Sequence, residues 1–203
     1  MVTEIELKAH VRDSEALRLL LSEKAEYLGS FEKDDMYWIP DAIKLNNTDS
    51  KALTLPTSGL RVRKEKRVLP GGNVEFSVIA SYKTKELRDG IEVNDEREFE
   101  VRPVSGTQQG PVEFEEFLGR VGLKTGFAKK KRGWAFSHDG ITAELVDVEG
   151  LGYFVELEIL TDDRREENIA GARKRLLDFL DSLGIERAAI ESRFYSEMLA
   201  KHT

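Results

Sequence analysis

Polar and apolar residues alternate along much of this chain, which is the pattern of β-strands with one buried face. Over residues 2–10, one face carries Thr3, Ile5, Leu7 and Ala9, and the other face is mostly charged. Comparable runs predict seven further strands, near residues 31–39, 59–68, 74–85, 91–102, 123–137, 140–148 and 152–161. Turn signals separate several of these runs: Asn46-Asn47, Pro70-Gly71-Gly72, Asp89-Gly90 and His138-Asp139-Gly140.

Apolar residues at helical spacing predict helices at four places. Asp13 offers an N-cap for a helix over residues 14–28, and Gly29 offers its C-terminal stop. Pro111 begins a short helix that ends at Gly122. Two amphipathic helices follow at residues 163–183 and 187–201. Residues 41–58 show neither period and predict a mobile loop.

The predicted order of elements indicates an α+β protein that is mainly antiparallel β. Most connections between the strands are short, which suits antiparallel neighbours. Eight strands that close on themselves leave no exposed sheet edge and enclose an interior of side-chain width. We therefore predict an eight-stranded closed β-barrel with flanking helices. Residues 1–203 are expected to form a single domain that includes the C-terminal helices at about 163–201.

The amino-acid composition limits the classes of protein to which this chain can belong. The chain has 203 residues, of which 40% are hydrophobic and 34% charged, as in a folded soluble domain. It has no cysteine, which excludes disulfides, thiolate metal sites and a cysteine nucleophile. The N-terminus lacks a signal-peptide pattern and no long apolar stretch occurs, so we expect a cytoplasmic protein without a membrane partner. A net charge of −7 argues against a nucleic-acid partner.

The charges on the second face of the strands are sorted by sign. Six strands carry a like-charged pair at positions i and i+2: Glu4 and Glu6, Glu98 and Glu100, Glu156 and Glu158, Arg61 and Arg63, Lys83 and Lys85, and Lys129 and Lys131. Such residues point the same way, about 6.5–7 Å apart, and repel each other unless an opposite charge lies near. One interpretation is that these faces are solvent-exposed and serve solubility and edge protection.

The alternative interpretation is a charged cavity inside the barrel. Because acidic and basic pairs occupy different strands, one wall would hold divalent cations and another would hold anionic phosphates. Carboxylates are suitable hard-oxygen ligands for Mg²⁺ or Mn²⁺. Arginine and lysine side chains neutralise phosphate oxygens. This pattern favours a polyanionic ligand bound together with a metal ion.

Several of these segments resemble the motifs of a known family. Glu4-Ile5-Glu6-Leu7-Lys8 resembles the ExExK signature of the CYTH superfamily, the triphosphate tunnel metalloenzymes. The remaining motifs follow in order over residues 2–199: an LRxR strand at Leu60-Arg61-Val62-Arg63, a KxK strand at Lys83-Thr84-Lys85, a later acidic strand at Glu98-Phe99-Glu100, a KxR-like strand at Lys129-Lys130-Lys131, a GLGxFxEiE strand at 150–158, and a closing SYxeLL helix at 195–199.

The resemblance implies an antiparallel tunnel that grips a nucleoside, thiamine or inorganic triphosphate through Mg²⁺, or alternatively Mn²⁺. The implied metal ligands are Glu4, Glu6, Glu156 and Glu158. The implied phosphate-binding residues are Lys8, Arg61, Arg63, Lys83, Lys85, Lys129 and Lys131. The candidate catalytic residues are Lys8, Glu98, Glu100, Glu144 and Asp147, where Glu98 and Glu100 would serve a second metal or orient the lysines.

The chain departs from the family pattern near the GLG motif. Family members often have an aspartate four residues before the first glycine, a position taken here by Val146, while Asp147 comes one residue later. Either a β-bulge returns Asp147 to the tunnel, or Glu144 takes its role. An arginine common before the later acidic strand also lacks a clean counterpart, since Arg97 falls one place late.

Three functions fit this sequence. Metal-dependent hydrolysis of a triphosphate is favoured, because it requires no dedicated purine pocket and the sequence identifies none. The first alternative is a class IV-type adenylate cyclase that converts ATP to cyclic AMP and pyrophosphate. The second is a noncatalytic polyphosphate- or nucleotide-binding protein. The expected partner is a small-molecule triphosphate, and both a monomer and a homodimer fit the sequence.

Overall fold

The computed structural model of the protein describes residues 2–41, 58–88, 90–103 and 110–200. The strands in this part of the chain are β1 (Thr3–His10), β2 (Glu26–Pro40), β3 (Ser58–Val68), β4 (Val74–Arg88), β5 (Ile91–Glu100), β6 (Leu123–His138), β7 (Ile141–Val148) and β8 (Gly152–Thr161). The helices are α1 (Ser14–Lys24), α2 (Gly110–Arg120), α3 (Glu166–Ser182) and α4 (Tyr195–Leu199), with a 3₁₀ turn at Arg187–Ala189. All the predicted strands are present.

The strands form a closed antiparallel barrel in the order β1-β5-β4-β3-β2-β6-β7-β8. Strand β1 pairs with β8 along the whole length of β1, from Thr3 opposite Thr161 to His10 opposite Phe154. Closure removes the unpaired edges that an open eight-stranded sheet would expose. The predicted fold class, an eight-stranded barrel with flanking helices, is confirmed.

The main hydrophobic core lies on the outside of the barrel, beneath α1 and α3. Ile5 and Leu7 of β1 are buried in the same cluster as Leu176 and Leu180 of α3. Because successive residues of a strand point to opposite faces, the charged residues between them point into the barrel. The helices that cover the apolar face thus determine that the charged face is the interior.

Apolar side chains fill the barrel interior at one end. Phe31, Val146 and Phe154 occupy inward positions there and pack against Tyr195 and Met198 of α4. The rings of Tyr195 and Phe154 meet edge to face, with 5.2 Å between their centroids. Helix α4 therefore closes this end of the barrel and brings a tyrosine into its interior.

The C-terminal segment corrects the helix predicted at 187–201. Ile190 forms a β-bridge with Ala9, and the backbone N–H of Glu191 donates a 2.9 Å bond to the carbonyl of Lys8. These contacts lead the chain across the end of β1, so that only Tyr195–Leu199 form an α-helix. The prediction was wrong because apolar residues that pack onto a barrel end have a spacing similar to that of a helix face.

Gly29 corrects the predicted end of the first helix. Helix α1 stops at Lys24, because Glu26 already belongs to β2. Gly29 lies where the pairing of β2 with β6 shifts register, with φ of 121°. A Cβ at this position would lie 2.4 Å from the carbonyl oxygen of Val68. The glycine is therefore required by a β-bulge and a close backbone approach rather than by a helix stop.

The turns predicted between strands are confirmed where the structure describes them. The turn between β6 and β7 has positive φ at Asp139 (46°) and Gly140 (73°), as the His138-Asp139-Gly140 signal predicts. The loop expected at 41–58 falls mostly on residues 42–57, which are outside the described residues. Among the helices that the structure describes, none has the length and apolar character needed to span a membrane.

Candidate functional site

Ion pairs between strands that are not neighbours cross the barrel interior. Lys83 of β4 contacts Glu4 of β1 at 2.6 Å, and Lys33 of β2 contacts Glu144 of β7 at 2.6 Å. Lys131 of β6 contacts Glu156 of β8. Each pair joins strands that are separated by one other strand, so the two side chains lie on the same face of the sheet, which faces the barrel interior. The sign-sorted pairs predicted from the sequence therefore line the tunnel, apart from one pair discussed below.

Glu4 and Glu6 of β1 share one lysine, and Glu158 of β8 lies beside them. Lys83 lies 2.6 Å from Glu4 and 3.6 Å from Glu6, and Glu6 is the register partner of Glu158. Burial raises the pKa of Glu4 well above its ordinary value, and Glu6 adds to this rise against the opposing effect of Lys83. Burial and Glu6 together raise the pKa of Glu158 to about 7. This wall of the tunnel is short of positive charge.

The opposite side of the interior gathers cations around few carboxylates. Asp35 of β2 accepts bonds from both Nε and Nη2 of Arg63, at 2.7 and 3.0 Å, and lies 3.2 Å from Lys129. Burial alone would raise the pKa of Asp35, but Arg63 and Lys129 lower it well below its ordinary value. Arg61 donates a 2.7 Å bond to Glu96 of β5. The carboxylate of Asp35 is therefore firmly ionised and holds two of the cations.

Glu144 and Glu156 hold the next group of cations. Lys131 lies 2.5 Å from Glu156 and 3.5 Å from Glu144, and Lys33 takes the other oxygen of Glu144. Tyr195 donates a 2.7 Å bond to the second oxygen of Glu156. Burial alone would raise the pKa of Glu144, yet Lys33 and Lys131 lower it. Both carboxylates are thus ionised and paired with lysines.

A further pair of lysines shares Glu92 of β5. Lys8 and Lys85 lie 2.5 and 3.1 Å from its two oxygens. Burial alone would raise the pKa of Glu92, but Lys85 and Lys8 lower it. The ammonium of Lys85 also lies 4.7 Å from the ring centroid of Phe194. The lysines of the ExExK and KxK motifs therefore meet at one carboxylate.

The charged side chains of the interior indicate whether the metal ion implied by the sequence would fit there. No three carboxylate or imidazole side chains of the described residues are arranged as a metal site. Glu4 and Glu156 are instead turned to Lys83 and Lys131. The raised pKa values of Glu4 and Glu158 nevertheless show carboxylates without enough positive charge nearby. Hard-oxygen donors in such a setting fit a divalent cation, which would take up the missing charge.

Two predicted catalytic glutamates do not lie in the tunnel. Glu98 and Glu100 share the parity of Glu92 and Glu96 but are exposed to solvent. The pairing of β5 with β1 ends at Asp95, opposite Thr3, so the later residues of β5 extend past the barrel wall. Glu100 is paired there with Arg102. The expectation that this pair faces the tunnel is corrected, and Glu92 and Glu96 occupy the interior positions instead.

The structure shows which carboxylate of β7, Glu144 or Asp147, faces the tunnel. The register of β7 with β6 and with β8 is regular throughout, so no bulge returns Asp147 to the interior. Asp147 faces outward and pairs with the exposed Arg132 at 2.9 Å. Glu144 points inward, whereas Val146 belongs to the apolar cluster at the closed end. The tunnel carboxylate of β7 is therefore Glu144.

Several interior charged residues were not predicted from the sequence, among them Glu65 of β3, which is buried. Lys33 and Asp35 alternate with Phe31 on the inward face of β2, and Glu92 and Glu96 lie on β5. The period-two pattern of β2 carried a usable signal, because these residues share one parity. No like-charged pair marked β2, since the lysine and the aspartate have opposite signs.

The comparisons with known proteins agree with this geometry. The CYTH domain family matches residues 3–195. The chain belongs to the CYTH family. No curated protein matches it. CYTH enzymes are triphosphatases or adenylate cyclases, bind small-molecule triphosphates, and generally depend on a divalent metal.

Solved structures of other CYTH-like proteins share the fold over nearly the whole chain. The PH1012 protein from Pyrococcus horikoshii is 27% identical, with a TM-score of 0.69 over 96% of this chain and 98% of its own. The PH1819 protein from the same organism is 24% identical, with a TM-score of 0.75 over 98% and 99%. HpAC1 from Hippeastrum, an adenylyl cyclase candidate with a dominant triphosphatase activity, is 20% identical, with a TM-score of 0.61 over 98% of this chain and 94% of its own.

Proposed function

We propose that this CYTH protein hydrolyses a triphosphate, inorganic or carrying an organic group, in a reaction that depends on Mg²⁺ or Mn²⁺. The observation that carries the proposal is the division of the tunnel into two unbalanced walls. Glu4 and Glu6 both contact Lys83, and Glu158 is the register partner of Glu6, with its pKa raised to about 7 by burial and by Glu6. On the other side, Arg63 and Lys129 share the single carboxylate of Asp35. A polyphosphate bound together with a metal ion supplies the charge that each wall lacks.

The cations of β3 and β6 are suited to bind phosphate oxygens. Arg61, Arg63, Lys129 and Lys131 have partly or fully buried side chains, each with a carboxylate partner inside the tunnel. When a polyanion enters, these cations can exchange carboxylate for phosphate oxygens and remain paired. In a site with little water, they stabilise the charge that develops as a phosphorus–oxygen bond breaks.

The acidic wall is suited to hold the metal ion. Glu4, Glu6, Glu156 and Glu158 are the proposed ligands, and Glu156 would leave Lys131 free for phosphate. A divalent ion bound there supplies positive charge beside the phosphate oxygens and acidifies water. Glu4, Glu6 and Glu158 lie on β1 and β8, across the barrel order from Arg63 of β3 and Lys129 of β6, so a metal ion held by these glutamates and the cations could bind one triphosphate together.

Glu144 is the proposed water-orienting carboxylate. Its pKa is lowered by Lys33 and Lys131 against the effect of burial, so it is ionised at neutral pH and can accept a hydrogen bond from water. Lys8 completes the set as a cation that helps to hold the substrate, since it shares Glu92 with Lys85. The dominant triphosphatase activity described for HpAC1 supports hydrolysis over cyclisation.

A product assay tests the proposal. The purified protein is incubated with tripolyphosphate, thiamine triphosphate and ATP, each with Mg²⁺, Mn²⁺ or EDTA, and cyclic nucleotide is separated from released phosphate. We expect orthophosphate that is absent with EDTA. Cyclic AMP with pyrophosphate would instead establish the cyclase. Ligand binding without turnover under any of these conditions would establish a binding protein.

A further inference from the structure

Lys33 and Lys131 hold the two oxygens of one carboxylate inside the tunnel. The ammonium of Lys33 lies 2.6 Å from Oε1 of Glu144, and that of Lys131 lies 3.5 Å from Oε2. The two lysines are register partners on β2 and β6, so their side chains leave adjacent strands in the same direction. Two ammonium groups that grip two oxygens of one anion have the arrangement needed to grip two oxygens of a phosphate.

Besides Glu144, the charge of Lys33 is stabilised by the ring of Phe31 and, at longer range, by Glu65. The Lys33 side chain is 4% exposed, and its ammonium lies 4.1 Å from the ring centroid of Phe31. Burial nevertheless lowers its pKa to about 8, with Lys131 and Arg63 adding to the effect and Glu144 and Glu65 opposing it. A buried ammonium beside two other cations is a favourable position for a further anion.

The neighbouring carboxylates compensate the charge of Lys33 only in part, because each of them also pairs with another cation. Glu144 is divided between Lys33 and Lys131, and Lys131 is already paired with Glu156. Glu65 is the register partner of Lys33 on β3, but its carboxylate accepts a bond from Arg67. If Glu144 turns to water and Glu156 to a cation, both lysines lose their carboxylate partners together.

We propose that Lys33 is an additional phosphate-binding residue of the tunnel, which exchanges Glu144 for an oxygen of the bound triphosphate. The proposal rests on the proposed function, because it assumes that a triphosphate occupies the tunnel. Lys33 and Lys131 then bind neighbouring oxygens of one phosphate group. The released Glu144 carboxylate becomes available to a water molecule at the same point.

A cycle of variants separates phosphate binding from neutralisation of Glu144. Binding of tripolyphosphate is measured by titration calorimetry, in EDTA and in Mg²⁺, for the wild type, Lys33→Gln, Glu144→Gln, the double variant Lys33→Gln/Glu144→Gln, and Lys33→Arg. Lys130→Gln is the matched control, because Lys130 is an exposed lysine of β6 that lies 3.8 Å from the exposed Asp34. The double variant leaves no unpaired buried charge at this point, so it remains informative even if Lys33→Gln folds poorly.

We expect the double variant to bind tripolyphosphate about tenfold more weakly than Glu144→Gln, the size of one lost charged hydrogen bond. Lys33→Arg should stay within about threefold of the wild type, and Lys130→Gln should match it. Equal affinity of the double variant and Glu144→Gln would overturn the proposal, because Lys33 would then serve only to neutralise Glu144. If the wild type fails to bind tripolyphosphate at all, the proposed function itself is wrong.

Discussion

The hydroxyl of Tyr195 donates a 2.7 Å hydrogen bond to Oε1 of Glu156, inside the barrel. The same ring lies 5.1 Å from the ammonium of Lys129 and 5.4 Å from that of Lys8. A residue of the short C-terminal helix thus contacts a proposed metal ligand and two proposed phosphate-binding lysines. The closing segment of the chain is part of the candidate site as well as its end wall.

Replacing Tyr195 by phenylalanine should lower the free energy of unfolding by about 1 kcal/mol, because a buried hydrogen bond to a carboxylate is lost while the ring remains. Urea unfolding measures the change. Tyr153→Phe is the control, since Tyr153 lies at the exposed surface of β8. A Tyr195→Phe variant as stable as the wild type would show that the bond to Glu156 contributes nothing to folding.

The double substitution Glu4→Gln/Glu6→Gln should abolish metal-dependent turnover, with a fall in kcat of about 10²-fold or more. The variant should still fold, because glutamine keeps the shape of each side chain and mutual repulsion is removed. Turnover of tripolyphosphate across a range of Mg²⁺ concentrations measures the effect, and circular dichroism checks the fold.

The matched control is Glu98→Gln/Glu100→Gln, which changes the same residue pair where β5 extends past the barrel. This variant should retain wild-type turnover. Equal loss in both variants would contradict the assignment of Glu4 and Glu6 to the metal, and would return Glu98 and Glu100 to the site.

Arg61→Ala should weaken tripolyphosphate binding by about 10- to 100-fold, the range for a lost charged hydrogen bond. Arg61 is 8% exposed and reaches Glu96 across the interior, so its removal takes a cation from the tunnel. Lys64→Ala is the comparison on the same strand, because Lys64 faces outward and pairs with Glu115. Calorimetry that finds the two variants equal would mean that Arg61 makes no contact with phosphate.

Glu158 should make the metal-free protein less stable as the pH rises. Its pKa is about 7 in the folded protein and near 4.5 as an ordinary carboxyl, so the folded state binds more protons between these values. The free energy of unfolding therefore falls as the pH rises from about 4.5 to about 7, and the contribution is absent below that interval. Urea unfolding in EDTA at several pH values measures the slope.

Glu158→Gln should flatten that slope, because its side chain does not titrate. Mg²⁺ should stabilise the wild type more at pH 7.5 than at pH 5, since a cation favours the ionised carboxylates. Identical pH profiles for the wild type and Glu158→Gln would contradict the raised pKa.

Glu144 and Asp147 of β7 show how much of the site can be predicted from the sequence. Strand alternation alone places Glu144 on the inward face and Asp147 on the outward face, but a single β-bulge would bring Asp147 inward instead. The observed register of β7 with both neighbours is regular, which places Glu144 inside and Asp147 at the surface. Hydrogen bonding to the flanking strands decides such a register, and those strands are distant in the sequence.

Strand β5 shows what a motif match alone misses. Glu98-Phe99-Glu100 matched the expected acidic strand, yet Glu92 and Glu96 face the cations of the tunnel. All four glutamates have the same parity, so alternation could not separate them. The difference arises because β1 pairs with β5 only as far as Asp95.

The sequence by itself determined the strands, their polar and apolar faces, and the segregation of acidic and basic pairs, because a period of two residues is a local property. Its resemblance to the CYTH motifs also indicated the closed barrel. Only the tertiary structure decided where each charged face begins and ends within the tunnel, which cations share a carboxylate, and that Tyr195 reaches Glu156. These relationships depend on strand closure and on contacts across the interior, which bring together side chains that no local pattern relates.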